Sequence, residues 1–326
     1  MKTIYLNSQT PLPTETSVAT IGFFDGVHVG HRHLVAQVVA QARRLHLPSM
    51  VITFDRPPRE VLTGVVEPML LTSLDEKLTL LRDTGVDTVV VLPFSKELAA
   101  LTAREFMASV LCRQLHVCCL LIGYDNRFGR NRTEDFNDYV AYGHELGIDV
   151  VHAEELRVDG EGVGSSIIRR LLREGGVEAA ARLLGRSYQL EGVVVHGYQQ
   201  GRLMGFPTAN LRPEPVVRLV PAAGVYAVEV VVRGADDEKW LPAMLNIGTR
   251  PTFDGHEQSI EAHILHFSAD LYGQQLAVRF LRRIRGEHRF ASVEELRRQL
   301  LTDREETRKI LETHQKEYED INKIMA

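Results

Sequence analysis

Four short apolar runs, Val18 to Phe24, Val51 to Phe54, Thr88 to Leu92 and Val117 to Ile122, alternate with amphipathic helical patterns, and this alternation leaves few folds open. A strand with one solvated face carries polar residues at every second position. These runs do not, so both their faces are buried, as in a parallel sheet covered by helices on both sides. The stretch His31 to His46 carries Leu34, Val35, Val38, Val39, Ala42 and Leu45 on one stripe that would pack on such a sheet. Ser73 with Glu76, and Thr102 with Glu105, have the spacing of capping boxes that open two further helices. The first half is therefore expected to be α/β, a doubly wound parallel sheet.

Past Gly185 the texture changes. Tyr188 to His196, Gly224 to Val232, Leu241 to Ile247, Ile260 to Phe267 and Leu276 to Ile284 read as strands separated by Gly, Pro and Asp, with no helices between them. They predict a second, all-β unit, a small closed barrel. A charged helix follows, opened by Ser292 with Glu295 and carrying Leu296, Leu300 and Leu301. The expected domains are residues 1–185 and 186–326, and a chain of 326 residues is long enough to bury a core in each.

A formal charge of -5 gives no global attraction to nucleic acid or membrane, so anionic ligands must be met by local positive groups. Arg279, Arg282, Arg283, Arg285 and Arg289 are balanced by an acidic C-terminal helix and lack interleaved aromatics; they read as a solvated face near an active site. The three cysteines, Cys112, Cys118 and Cys119, form neither a disulfide framework nor a zinc spacing. No secretory leader and no run of about 18 apolar residues is present, so a cytoplasmic protein without nucleic-acid or membrane partners is expected.

Two segments carry the chemistry. Gly22-Phe23-Phe24-Asp25-Gly26-Val27-His28-Val29-Gly30-His31 lies between the first strand and the first helix, at the carboxyl end of a strand where open α/β sheets bind ligands. Gly26 and Gly30 allow close approach to a polyphosphate, the helix N-terminus offers N–H groups, and His28 and His31 add donors for a phosphate transition state. A glycine turn with incidental histidines is the bland alternative. The second segment, Gly192 to Leu211, joins a strand, a loop with Gly201 and Gly205, and the tetrapeptide Pro207-Thr208-Ala209-Asn210. Its glycines let the chain wrap phosphates, while Thr208 and Asn210 are hard oxygen ligands suited to Mg²⁺ carried by ATP. Its bland alternative is a hairpin followed by a turn.

Taken with these segments, the chain from about residue 18 to about residue 312 resembles the bacterial bifunctional riboflavin kinase/FMN adenylyltransferase family. The resemblance implies a Rossmann-like nucleotidyltransferase domain followed by a riboflavin-kinase-like β-barrel with a terminal helix. It implies two reactions as well, with riboflavin, FMN and FAD as substrates and products and ATP and Mg²⁺ required. In the first domain it assigns His28 and His31 to catalysis and Gly22, Phe24, Asp25, Gly26 and Gly30 to ATP. Ser165, Ser166 and Arg169, opening a helix, face phosphate; Asp125, Asn126, Arg127 and Phe128 face the flavin. In the barrel it assigns Gly197, Gly201, Arg202, Gly205, Pro207 and Thr208 to ATP, Thr208 and Asn210 to the metal, and Glu261 to the base that takes the ribityl hydroxyl proton.

The chain departs from that pattern at Arg56, Pro57, Asn126, Glu134, Gly164, His266 and Gly286. Those in the first domain leave open a kinase with an impaired adenylyltransferase. A flavin-binding regulator is a further alternative, against which Glu261 counts, because a binder has no use for a base. A class I tRNA synthetase would also explain His28 and His31, but no Lys-Met-Ser-Lys-Ser-type segment is present.

Overall fold

The computed structural model describes residues 1–6, 14–65, 69–124, 126–197, 201, 204–214, 218–234, 238–252 and 255–325, with backbone alone for 249–252, 255–257 and 315–325. Asp125 and Arg202 therefore lie outside the described residues. The chain divides into two compact units, Met1–Ser165 and Ser166–Ala326.

The first unit is built on a six-stranded sheet of β1 (Lys2–Tyr5), β2 (Ser17–Ile21), β3 (Ser49–Phe54), β4 (Thr88–Leu92), β5 (Val117–Ile122) and β6 (Asp149–His152), in the order β1-β4-β3-β2-β5-β6. All its pairings are parallel. Both faces are buried, as the apolar runs require: Ala19, Ile21, Met50, Ile52, Val90 and Leu92 enter one core, and Val18, Val51, Val89 and Val91 enter the other. The chain leaves the centre by β2 to β3 in one direction and by β5 to β6 in the other. The ends of β2 and β5 thus flank the switch point, the place where a sheet of this kind opens a crevice.

Helix α1 (Val29–Leu45) buries Leu34, Val35, Val38 and Ala42 on the sheet. Helices α2 (Pro58–Thr63), α3 (Leu74–Arg82), α4 (Lys96–Ala100), α5 (Ala103–Phe106) and α6 (Phe136–Leu146) complete the layers, with a π-helical turn over Met107–Cys112. The capping boxes of α3 and α5 are both formed. A two-residue hairpin of β7 (Arg157–Val158) and β8 (Glu161–Gly162) ends the unit.

Two helices, α7 (Ser165–Glu174) and α8 (Val177–Leu184), precede the barrel. They are tied to it by the Ala222 amide on the Leu172 carbonyl at 3.0 Å and by Arg282 on Glu178 at 3.1 Å, so the compact unit begins earlier than the change of sequence texture. The strands β9 (Tyr188–Val195), β10 (Ala209–Pro213), β11 (Gly224–Val232), β12 (Leu241–Thr252), β13 (Gly255–Ile264) and β14 (Gln275–Arg285) form a closed barrel in the order β10-β13-β12-β11-β14-β9. Along β9 the strict alternation of burial sends Tyr188, Leu190 and Val194 inward.

The terminal helix α9 (Val293–Met325) is anchored to β14 by Arg285, whose guanidinium holds the buried Asp303 carboxylate at 2.8–3.1 Å. Ser292 caps its N-terminus through the Glu295 amide, but Glu295 returns its bond to Ala291 N rather than to Ser292. The arginine-rich stretch is not the loose solvated face expected. Arg279 pairs with Glu229, Arg282 with Glu178 and Arg285 with Asp303, while Arg283 donates to the carbonyls of Glu174 and Ala223. Arg282, Arg283 and Arg285 hold the barrel to its helices, and Arg279 joins two of its strands; Arg289 is exposed. Among the described residues no helix is long and apolar enough to cross a membrane.

Candidate active sites

The expected first strand stops at Ile21 because the chain turns there: Phe24, Gly26 and Val27 have φ of 54°, 82° and 36°. Two of the three are not glycine, and such a backbone persists only when its surroundings over-determine it. The surroundings are polar. Asp25, 3% exposed, accepts from the amides of Leu71 (3.0 Å) and Thr72 (3.1 Å) and from the Thr72 hydroxyl (3.3 Å). The Gly26 amide donates to Thr72 Oγ1 at 3.0 Å, and Ser165 Oγ donates to the Asp25 carbonyl at 2.9 Å. Asp25 and the Gly26 N–H, expected at phosphate, are thus occupied in shaping the turn.

His28 follows as the N-cap of α1, its Nδ1 accepting from the His31 amide at 3.2 Å. Nδ1 being the acceptor, the neutral imidazole carries its proton on Nε2, which is the donor it can offer. The His31 ring stacks on it at 3.6 Å between centroids, and Phe24 meets His31 edge-on at 5.1 Å. A Cβ at Gly30 would lie 3.2 Å from His28 Nδ1, which is why the imidazole needs glycine beneath it.

Lys77 was missed in the sequence. It sits on the buried face of α3 with Leu78 and Leu81, and its Nζ donates to the carbonyls of Phe23 (3.1 Å) and Phe54 (2.9 Å). Burial pushes this ammonium down to about 8, opposed by the negative charges of Asp25 and Asp55. The available signal was one charged residue on an otherwise apolar helical stripe.

Across the switch point, the loop after β5 divides the expected flavin residues. The Asn126 carboxamide donates to the Ile21 carbonyl at the end of β2. Asn126 and Arg127 line a cavity of about 430 Å³ together with Tyr124, Phe136 and His152. Phe128 stacks at 4.4 Å on Tyr139, which also lines that cavity, with the tyrosine hydroxyl bonded to both the Phe128 amide and its carbonyl at 3.0 Å. Further aromatic wall comes from Tyr124, His152 and Phe136, whose rings stack in series at 5.8 and 4.5 Å. Ser166 is exposed and Arg169 half-buried on α7, in the second unit.

In the barrel, Asn210 on β10 and Asn246 on β12 both stand opposite Glu261 on β13. Thr208 Oγ1 donates to Glu261 Oε2 at 3.3 Å, so hydroxyl, carboxamide and carboxylate converge from residues far apart in sequence. Glu261 is half-buried between inward Ile260 and Ala262, as alternation predicts. Gly197 passes so close that a Cβ would overlap the Asn210 carboxamide, and a Cβ at Gly201 would overlap the Phe206 carbonyl. Gly205 has φ of 80°. His263, also missed, bonds through Nδ1 to the Pro207 carbonyl at 2.8 Å, and burial lowers its pKa, favouring the neutral ring. Pro207 and Thr208 edge a cavity of about 700 Å³ with Val194, Ile264 and Tyr272.

The donor set suits a hard divalent cation, since Thr208 and Asn210 offer neutral oxygens beside a carboxylate. Among the described residues no group of three or more His, Cys, Asp or Glu side chains could hold a metal. A cation at Thr208 and Asn210 would therefore complete its shell with phosphate oxygens and water.

Residues 11–167 match the FAD synthetase family and residues 184–311 the riboflavin kinase family. The chain is 41% identical over 299 residues to the bifunctional riboflavin kinase/FMN adenylyltransferase of Escherichia coli K12, covering 91% of this chain and 94% of that protein. To the Pseudomonas fluorescens protein of the same name it is 39% identical over 287 residues, 88% of this chain and 90% of the other. A solved structure described as a macrolide-efflux protein from Streptococcus pneumoniae is 33% identical and superposes with a TM-score of 0.83 over 94% of this chain and 99% of its own. Both family matches and both relatives agree, and the chain belongs to the bifunctional riboflavin kinase/FMN adenylyltransferase family.

Proposed function

We propose that the family's two reactions are divided between residues 1–185 and 186–326, each using the side chains its own sheet brings together. Family membership supplies the two activities, riboflavin kinase and FMN adenylyltransferase. In the barrel, Glu261 accepts the proton of the primary ribityl hydroxyl as that oxygen attacks the γ-phosphorus of ATP; FMN forms and ADP leaves. Mg²⁺, when bound, neutralises charge on the transferring phosphates. Thr208 and Asn210 orient that end of the nucleotide.

In the first domain an FMN phosphate oxygen attacks the α-phosphorus of a second ATP; FAD forms and pyrophosphate leaves. His28 through Nε2–H, His31 and the N-terminus of α1 stabilise the charge that develops. Asn126 and Arg127 border the flavin. A reducing cytoplasm suits the three free thiols.

The observation that carries the reading is the convergence of Thr208, Asn210 and Glu261 across β10 and β13, because a binding protein needs no carboxylate beside its nucleotide ligands. The test is to incubate purified protein with riboflavin, ATP and Mg²⁺ and separate the flavins chromatographically over time. FAD appearing through transient FMN is expected. Unchanged riboflavin overturns the kinase assignment, and FMN without FAD overturns the adenylyltransferase.

A further inference from the structure

We propose that Lys77 is a positioning residue for adenylyl transfer, fixing from beneath the turn that presents His28 and His31. The inference rests on the reading of the first domain given above. Lys77 does not belong where it lies on hydrophobic grounds: it is 3% exposed, on a helix face shared with Leu78 and Leu81. Burying an ammonium is costly, and a leucine or methionine would continue the apolar stripe without that cost.

Its contacts say what the charge is for. Nζ reaches the carbonyls of Phe23 and Phe54 at 3.1 and 2.9 Å, and it lies 4.4 Å above the Phe23 ring. Phe54 ends β3, and Phe23 is the last residue before the left-handed run of Phe24, Gly26 and Val27. The Phe23 carbonyl accepts a second bond, from Thr53 Oγ1 at 3.1 Å. Lys77 therefore clamps the ends of two neighbouring strands at the point where the chain departs toward the histidines.

The same short stretch supplies the rest of the mould. The Leu71 and Thr72 amides hold Asp25, and Thr72 Oγ1 holds the Gly26 amide. The Phe23 carbonyl, the Asp25 carboxylate and the Gly26 amide are thus each answered from residues 71–77. Because His28 is both the N-cap and the partner of His31, rotation of the turn would move both imidazoles together. Misplacing reacting groups by about 1 Å is enough to cost up to about 100-fold in rate.

The test uses the full-length protein, with Lys77→Met and Lys77→Arg assayed for FMN adenylylation and, in the same preparations, for riboflavin phosphorylation. Lys77→Met is expected to lower kcat for adenylylation at least about ten-fold, with KM for FMN within about twofold, phosphorylation intact and partial recovery in Lys77→Arg. Combined with His28→Ala, it should slow the reaction no further than His28→Ala alone, since it acts through that residue.

Unchanged adenylylation, an equal fall in both activities, or losses that multiply in the double variant would each overturn the proposal. If Lys77→Met does not fold, Lys77→Gln carries the test in its place, and full adenylylation in Lys77→Gln overturns the proposal as well. FAD absent from the unaltered protein overturns the reading of the first domain and this inference with it.

Discussion

The two candidate sites are built by opposite means. In the first unit, Gly22 to His31 runs from the end of β2 through one turn into α1, and the imidazoles of His28 and His31 are neighbours at the start of that helix. In the barrel, Thr208 and Asn210 meet Glu261 only because β10 and β13 pair in one register. A slip of one residue there would send Glu261 to the other face of its strand. The first site is therefore local in its chemistry and distant in its support, which comes from Asp25's partners, Lys77 and Asn126. The second is distant in its chemistry, with support supplied by closure of the barrel itself.

That contrast is broken most directly by removing one reactive group from each site. Glu261→Gln keeps the shape and removes the base, so riboflavin phosphorylation should fall by about 10²–10⁴ while adenylylation of supplied FMN stays intact. Asn210→Ala should give the same one-sided loss. His31→Ala should do the reverse, lowering adenylylation by about 10²–10³ and sparing phosphorylation. Separate assays with riboflavin and with FMN check all three variants, and an equal loss of both activities in any of them would contradict the division of labour.

The same contrast accounts for what could be read in the sequence. The parallel sheet was legible because β3, β4 and β5 are continuous apolar runs, and α1 because its stripe is regular. The juxtaposition of His28 and His31 was legible because the two are close neighbours in sequence. The edge strands β1 and β6 were not; each is four residues long and only partly buried. Nor was β10, where Pro213 and the preceding Pro207 read as turn, so the strand pairing of Asn210 with Glu261 came only from the fold. The hold on Asp25 was hidden for a similar reason: its partners include the backbone amides of Leu71 and Thr72, which no side-chain pattern announces. The stacking of Phe128 on Tyr139 was hidden too, since the two rings meet only when the loop after β5 folds back on α6.

Glycine substitutions sharpen the comparison at a smaller scale. A Cβ at Gly197 would overlap the Asn210 carboxamide, a group fixed on a barrel strand that cannot yield far. Gly197→Ala should therefore lower phosphorylation about ten-fold or more by displacing Asn210, with adenylylation unchanged. Gly205 is different, because nothing lies within 4 Å of its Cβ position and only its φ of 80° resists substitution. Gly205→Ala should cost stability, about 1 kcal/mol, more than activity. Equal kinetic losses in the two variants would mean that the loop, not Asn210, is the sensitive part.

The smallest expected effect concerns Lys77, the buried cation beneath the first site. Folding carries Lys77 from 10.5 to about 8, so between those values the unfolded chain binds a proton that the folded chain does not. Below about 8 both states are charged and the folded state bears the full cost of burial. As pH rises from about 8 toward 10.5, that cost is relieved and stability increases. Asp25 and Asp55 moderate the shift without reversing it. Between pH 7 and pH 9 the unaltered protein should therefore gain about 1 kcal/mol relative to Lys77→Met, since other titrating groups are common to both. Calorimetric melting of the two proteins at the two pH values checks this, through the transition that Lys77→Met perturbs. A difference that stays constant or shrinks with rising pH would mean that Lys77 is held more like an exposed lysine than a buried one, and that the clamp under the histidine turn is looser than its hydrogen bonds imply.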